Sequence, residues 1–217
     1  MTISMLIPLR SIIHTISYAL LAPTILILLL FIVLVVAELG SLLVEAVTER
    51  RRRRVDVAAL LSAFQGGDAG RIRNEIAGSG LSRRQKMALE TVIAHADLLP
   101  ASLRALARQV LSGEELHYAR ITAGTDLVAR LGPMFGLMAT LIPLGPGLIA
   151  LGQGDTKTLA ASLLTAFDAT VSGLAAAGVA FAVSRLRKRW YESCLSILEA
   201  LLEGLLEVFA RGRGIAE

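Results

Sequence analysis

Residues 131–154 read LGPMFGLMATLIPLGPGLIALGQG, and the solvent assumed for this stretch decides the fold. It holds no Asp, Glu, Lys or Arg between Arg130 and Asp155, yet it carries Gly132, Pro133, Gly136, Pro143, Gly145, Pro146 and Gly147. In water that density of helix breakers reads as loop. In a bilayer it reads as a span, because neighbouring helices re-satisfy the backbone groups that Gly and Pro leave open. The rest of the chain selects the bilayer. Of the 217 residues, 54% are hydrophobic and only 18% charged, against about 25% charged in soluble domains. Such a composition excludes a disordered chain and an ordinary soluble enzyme. The single Cys194 excludes an intrachain disulfide and a cysteine metal site.

Two further stretches have the same character. Residues 18–37 (YALLAPTILILLLFIVLVVA) are nearly unbroken aliphatic sequence, long enough at about 1.5 Å per residue for a hydrocarbon core of roughly 30 Å. That run is too long for a secretory h-region, and no small-x-small cleavage site follows it. Residues 158–184 (TLAASLLTAFDATVSGLAAAGVAFAVS) are rich in Ala, Gly, Ser and Thr and interrupted by one acid, Asp168. The expected fold is an all-α membrane protein of three transmembrane helices with long cytoplasmic helical extensions.

Charge sets the orientation. Fourteen of the 22 Lys and Arg residues lie in 50–130 and six lie from 185 onward. Arg50, Arg51, Arg52, Arg53 and Arg54 follow the first span, and Arg185, Arg187, Lys188 and Arg189 follow the third. The positive-inside rule places both clusters in the cytoplasm, as topological anchors at lipid headgroups. No aromatic residues interleave with the arginine run to stack bases, so nucleic acid is not expected as a partner. The predicted layout is an extracytoplasmic segment 1–17, spans at 18–38, 131–151 and 159–184, a cytoplasmic helical region 39–130, an extracytoplasmic turn 152–158, and a cytoplasmic amphipathic helix 185–217.

In the cytoplasmic region, Val57, Leu60, Leu61 and Phe64 recur at helical spacing until Gly66-Gly67-Asp68. A second run, Met87, Leu89, Val92, Ile93 and Ala96, ends at Pro100. A third, from about Ala101, enters the second span without a break. In the tail Leu186, Trp190, Cys194, Ile197, Leu201, Leu205 and Val208 form a seam at three- and four-residue steps, continuous with the third span.

Within the third span Ala166, Ala169, Thr170, Gly173, Ala177 and Ala180 make a small-residue ridge, the pattern close helix packing needs in lipid. Asp168 shares a polar stripe with Thr165 and Ser172. A carboxylate there costs several kcal/mol on the insertion scale unless it meets water, a partner or a proton, so it is either an ion-handling group or a tie between helices. His14, His95 and His117 stand apart, no phosphate-binding glycine loop or G-x-S-x-G elbow occurs, and neither a metal, a cofactor nor an enzyme activity is expected.

Leu131-Gly132-Pro133-Met134-Phe135-Gly136-Leu137-Met138-Ala139-Thr140 resembles the Gly-Pro-x-x-Gly-Leu-x-Gly-Thr signature of the MotA/TolQ/ExbB proton channel family. Ala169-Thr170-Val171-Ser172-Gly173-Leu174-Ala175-Ala176 resembles its Ala-Thr-x-x-Gly-Leu-x-Ala signature. The resemblance implies a pentameric ring around single-span partner helices of the MotB/TolR/ExbD type, each bearing a membrane Asp, with H+ or Na+ as the transported ion. It makes Thr140 and Thr170 pore-lining, with Thr165, Asp168 and Ser172 as further pathway candidates and Gly136, Ala169, Gly173 and Ala177 as packing positions. This sequence departs from the pattern in having Thr165 where the TolQ and ExbB branches carry Glu, and Ala139 in place of a Gly. A non-conducting oligomeric scaffold and a transporter permease subunit are the alternative functions; only Pro143–Gly147 offers the helix break that the latter needs.

Overall fold

The computed structural model describes residues 15–50, 56–65 and 69–212. Most of the 1–17 segment, Arg51–Arg54, Gly66-Gly67-Asp68 and residues 213–217 lie outside them, as does the side chain of Arg50. Every element among the described residues is helical. In chain order these are α1 (Leu21–Arg50), α2 (Val57–Gln65), α3 (Ala69–Gly78), α4 (Arg83–Ala94), α5 (Pro100–Gly152) and α6 (Thr156–Gly212). Among the described residues, three helices are long and apolar enough to cross a membrane: Thr15–Val47, Pro100–Gly152 and Thr156–Gly212.

The breaker-rich stretch is helix throughout. Pro133, Pro143 and Pro146 all sit inside the 53 residues of α5. Each proline withholds one N–H and leaves the carbonyl four residues back without its helical partner, a penalty of about 3 kcal/mol in a helix exposed to water. The apolar surroundings and the helices packed alongside are what keep α5 continuous. Pro100 opens α5, a position where the missing N–H removes no helical bond.

The chain divides into two compact units. The first comprises Met1–Leu43 and Ala123–Arg185. Its apolar centre joins Phe31 and Val35 of α1 to Val128 of α5 and to Ala176 and Ala180 of α6. Phe31 meets Phe135 edge-to-face, with ring centroids 5.7 Å apart. α5 and α6 run antiparallel through a turn in which Gly154 takes φ +78°, the left-handed region that glycine enters without a Cβ penalty. Asp155 then caps α6, accepting from the Thr158 backbone N–H at 3.1 Å and from the Thr158 hydroxyl at 2.5 Å. Those two bonds to the charged form hold the Asp155 carboxyl below the usual carboxylate range.

The second unit comprises Val44–Thr122 and Leu186–Glu217. Its core is Phe64, Ile72, Ile76, Leu89 and Val92 from the short helices, with Leu103, Leu198, Leu201 and Leu205 from α5 and α6. Ser82 and Gln85 close α4 with a capping box. Gln85, itself buried, also donates from Nε2 to the Cys194 carbonyl at 2.9 Å, tying α4 to α6. Here the tail seam differs from its sequence reading. Leu201 and Leu205 are buried as expected, but Leu198 and Leu202 are buried beside them, while Leu186 is exposed. Met87, grouped with the apolar run of α4, is exposed as well.

Arg187 also departs from expectation. As an anchor it would reach headgroups; instead it is 4% exposed, with Nε 3.4 Å from Glu45 Oε2. Tyr191 donates its hydroxyl to Glu45 Oε1 at 3.2 Å and stacks on Tyr118 at 4.3 Å. Burial, followed by the Glu45 charge, raises the Tyr191 pKa, so the phenol stays a donor. The other anchors of that group are placed more openly: Arg185 and Arg189 are exposed and Lys188 is half-buried, with the Arg185 guanidinium 5.2 Å from the Phe181 ring centroid.

Candidate functional site

Glycine places α5 against α6. A β-carbon on Gly173 would fall 2.8 Å from the Gly132 carbonyl oxygen and 3.0 Å from Gly136 Cα. One on Gly132 would fall 3.0 Å from both the Gly173 carbonyl oxygen and Ala177 Cβ. Side chains at these positions would separate the helices, so the backbones touch because the residues are glycine. Around Gly136 a β-carbon would find Ala169, Thr170 and Gly173 backbone at 3.6 Å. The expected packing positions Gly136, Ala169, Gly173 and Ala177 therefore meet at one crossing.

The antiparallel register follows from these contacts. Gly147 faces Ser162, and Gly136 faces Gly173, each eleven positions further along in opposite directions. Thr140 lies four residues after Gly136 on α5, and Thr170 three before Gly173 on α6, so the two signature threonines stand level with each other. Both are half-buried. The Thr140 hydroxyl donates to the Leu137 carbonyl at 2.6 Å and the Thr170 hydroxyl to the Ala166 carbonyl at 3.2 Å. With the proton of each hydroxyl committed to its own helix, the oxygen keeps lone pairs for a cation or a hydronium proton.

α6 has distinct faces. Ala166, Gly173, Ala177 and Ala180 are buried, and Leu164, Phe167, Val171, Leu174 and Phe181 are exposed. Thr165 and Asp168 are exposed and Ser172 half-buried on a third stripe. Two residues along a helix turn the side chain by about 200°, so Asp168 and Thr170 occupy opposite flanks. The five pathway candidates are thus not one lining within a single chain: Thr140 and Thr170 stand level on one flank, and Thr165, Asp168 and Ser172 form a separate group. The Thr165 hydroxyl donates to the Ala161 carbonyl at 3.0 Å. The Asp168 carboxylate has no hydrogen bond or ion pair among the described residues.

Sequence reasoning passed over one polar pair. Ser184, 3% exposed on α6, donates its hydroxyl to the Asp126 carboxylate on α5 in a short hydrogen bond. Asp126 precedes the charge-free stretch and Ser184 closes the third, so hydropathy assigns them to separate ends of the sequence. Antiparallel pairing brings them side by side. No three His, Cys, Asp or Glu side chains converge on a metal site among the described residues.

No curated protein matches this chain. The model of the MotA/TolQ/ExbB proton channel family matches residues 70–200, which include the glycine crossing and the level threonines. The match extends over more than half of the sequence, over all of α5 and most of α6, and the chain belongs to the MotA/TolQ/ExbB proton channel family.

Proposed function

We propose that this protein is the ion-conducting, pore-forming subunit of an inner-membrane energy-transducing motor complex. The family is one of channels and transducers rather than enzymes, and its members act in complexes with partner proteins. In this reading five copies form a ring around a dimer of single-span helices of the MotB/TolR/ExbD type, each carrying a membrane Asp. In this reading the N-terminus lies outside and the C-terminus in the cytoplasm, which the basic clusters after the first and third spans support.

The level pair Thr140–Thr170 carries the proposal. An ion inside a bilayer needs oxygen atoms in place of its hydration shell. Two hydroxyl oxygens at one level, their protons bonded within their own helices, supply such a surface without leaving an unsatisfied donor. An H+ or Na+ passing between them and the partner's Asp would release about 2.3 kcal/mol per charge at 100 mV, enough for several ions to move a mechanical load.

Thr170→Val tests this in the complete complex, because valine keeps the shape and removes the oxygen. Ion-dependent activity is expected to vanish while subunit stoichiometry is retained. Full activity with a normal assembly would refute the role of the threonine pair.

A further inference from the structure

We propose that Asp126 and Ser184 form a second cation-accepting station, on the same flank of the α5–α6 hairpin as Thr140 and Thr170 and toward its cytoplasmic end. The proposal rests on the conducting function above and adds the group through which the ion passes on that side.

The placement follows from the register. Asp126 lies fourteen residues before Thr140, and Ser184 fourteen after Thr170. Fourteen residues are close to four helical turns, so each member of the second pair falls within about 40° of its threonine's bearing, some 21 Å along the axis. The hairpin therefore carries two polar rungs in one register, threonine with threonine and aspartate with serine. Between them on the facing surfaces stand Gly132, Gly136, Gly173 and Ala177, whose small size brings the backbones together. Of the neighbouring cations on the two helices, Arg130 and Arg185 are exposed and Lys188, one turn beyond Ser184, is half-buried, as is Asp126, while Ser184 is buried.

A serine buried to this degree against a carboxylate is costly to assemble unless the hydrogen bond is made, and the bond is made. The hydroxyl donates to the carboxylate, whose oxygens have further lone pairs with which to accept a proton or a cation at the hairpin's edge. In a proton step, hydronium gives its proton to the Asp126 carboxylate and leaves as water. The same proton then passes to a water molecule on the other side, regenerating the carboxylate. A sodium ion would instead take the carboxylate and serine oxygens as ligands.

The experiment uses the full chain with its single-span partner in liposomes, under an imposed pH gradient and, separately, a Na+ gradient. The gradient that drives flux identifies the ion. Asp126→Asn still accepts the Ser184 hydrogen bond through its amide oxygen, so loss of that bond does not account for a loss of flux in an intact oligomer. Loss of the ionisable acceptor is expected to lower flux about 100-fold with the oligomer intact, whereas Asp126→Glu stays within about tenfold. Ser184→Ala is expected to lower flux several-fold. Wild-type flux in Asp126→Asn overturns the station and leaves the conducting function standing. A wild-type complex that conducts under neither gradient overturns that function and the station with it. Should Asp126→Asn fail to assemble, Ser184→Ala decides, and unchanged flux there overturns the proposal.

Discussion

Gly173→Ala isolates the energetics of the helix crossing, because the same substitution at Gly136 provides a matched reference. A β-carbon on Gly173 would lie 2.8 Å from the Gly132 carbonyl oxygen, 3.0 Å from Gly136 Cα and 3.3 Å from Gly136 N. All three are backbone atoms of α5, which cannot swing aside as a side-chain tip would. Ordinary carbon contacts are about 3.5–4.0 Å, so the helices must separate by roughly half an ångström or more. At Gly136 the nearest atoms stand at 3.6 Å, ordinary contact. Both substitutions receive the same gain of about 1 kcal/mol in helix propensity, which cancels between them. What remains is overpacking at Gly173 alone, about 1–3 kcal/mol, or roughly 5- to 150-fold in the unfolding equilibrium. Detergent-induced unfolding of the two purified variants, followed by circular dichroism, measures this difference. Gly173→Ala should unfold at the lower SDS fraction. Equal midpoints, or a Gly173→Ala protein more stable than Gly136→Ala, would refute the backbone-contact geometry.

In the second unit Glu45→Gln keeps an acceptor for the Tyr191 hydroxyl and removes the negative charge 3.4 Å from Arg187 Nε, whose side chain is 4% exposed. Thermal denaturation is expected to show a loss of about 1–3 kcal/mol, and unchanged stability would refute the weight given to that contact. At the turn, the lowered carboxyl of Asp155 contributes stability that is present above its unfolded value, about pH 4, and is lost as pH falls through the lower folded value. Asp155→Asn keeps a cap but lacks that titration, so the stability difference between it and the wild type should shrink as pH falls through the acid range.

Much of this was legible because hydropathy accumulates along the chain without reference to what packs against it. The three spans, the continuous passage into α5 and the small-residue face of α6 all came from such local patterns. The tail seam was only half legible: Leu198 and Leu202 fall outside the three- and four-residue pattern chosen for it, yet the short helices α2–α4 cover them. The signatures singled out Thr140 and Thr170, but nothing in their spacing reveals that Thr170 and Asp168 occupy opposite flanks of α6 as parts of different surfaces.

From the sequence alone came the solvent, the number of crossings and the family, since each depends on runs of residue types that a bilayer either accepts or rejects. Tertiary structure alone decided that Arg187 turns inward to Glu45 instead of reaching headgroups, and that Asp126 meets Ser184 across an antiparallel hairpin. Both partnerships join residues dozens of positions apart. They exist only because glycine backbones allow α5 and α6 to touch and because α1 supplies an acid where the second unit encloses an arginine.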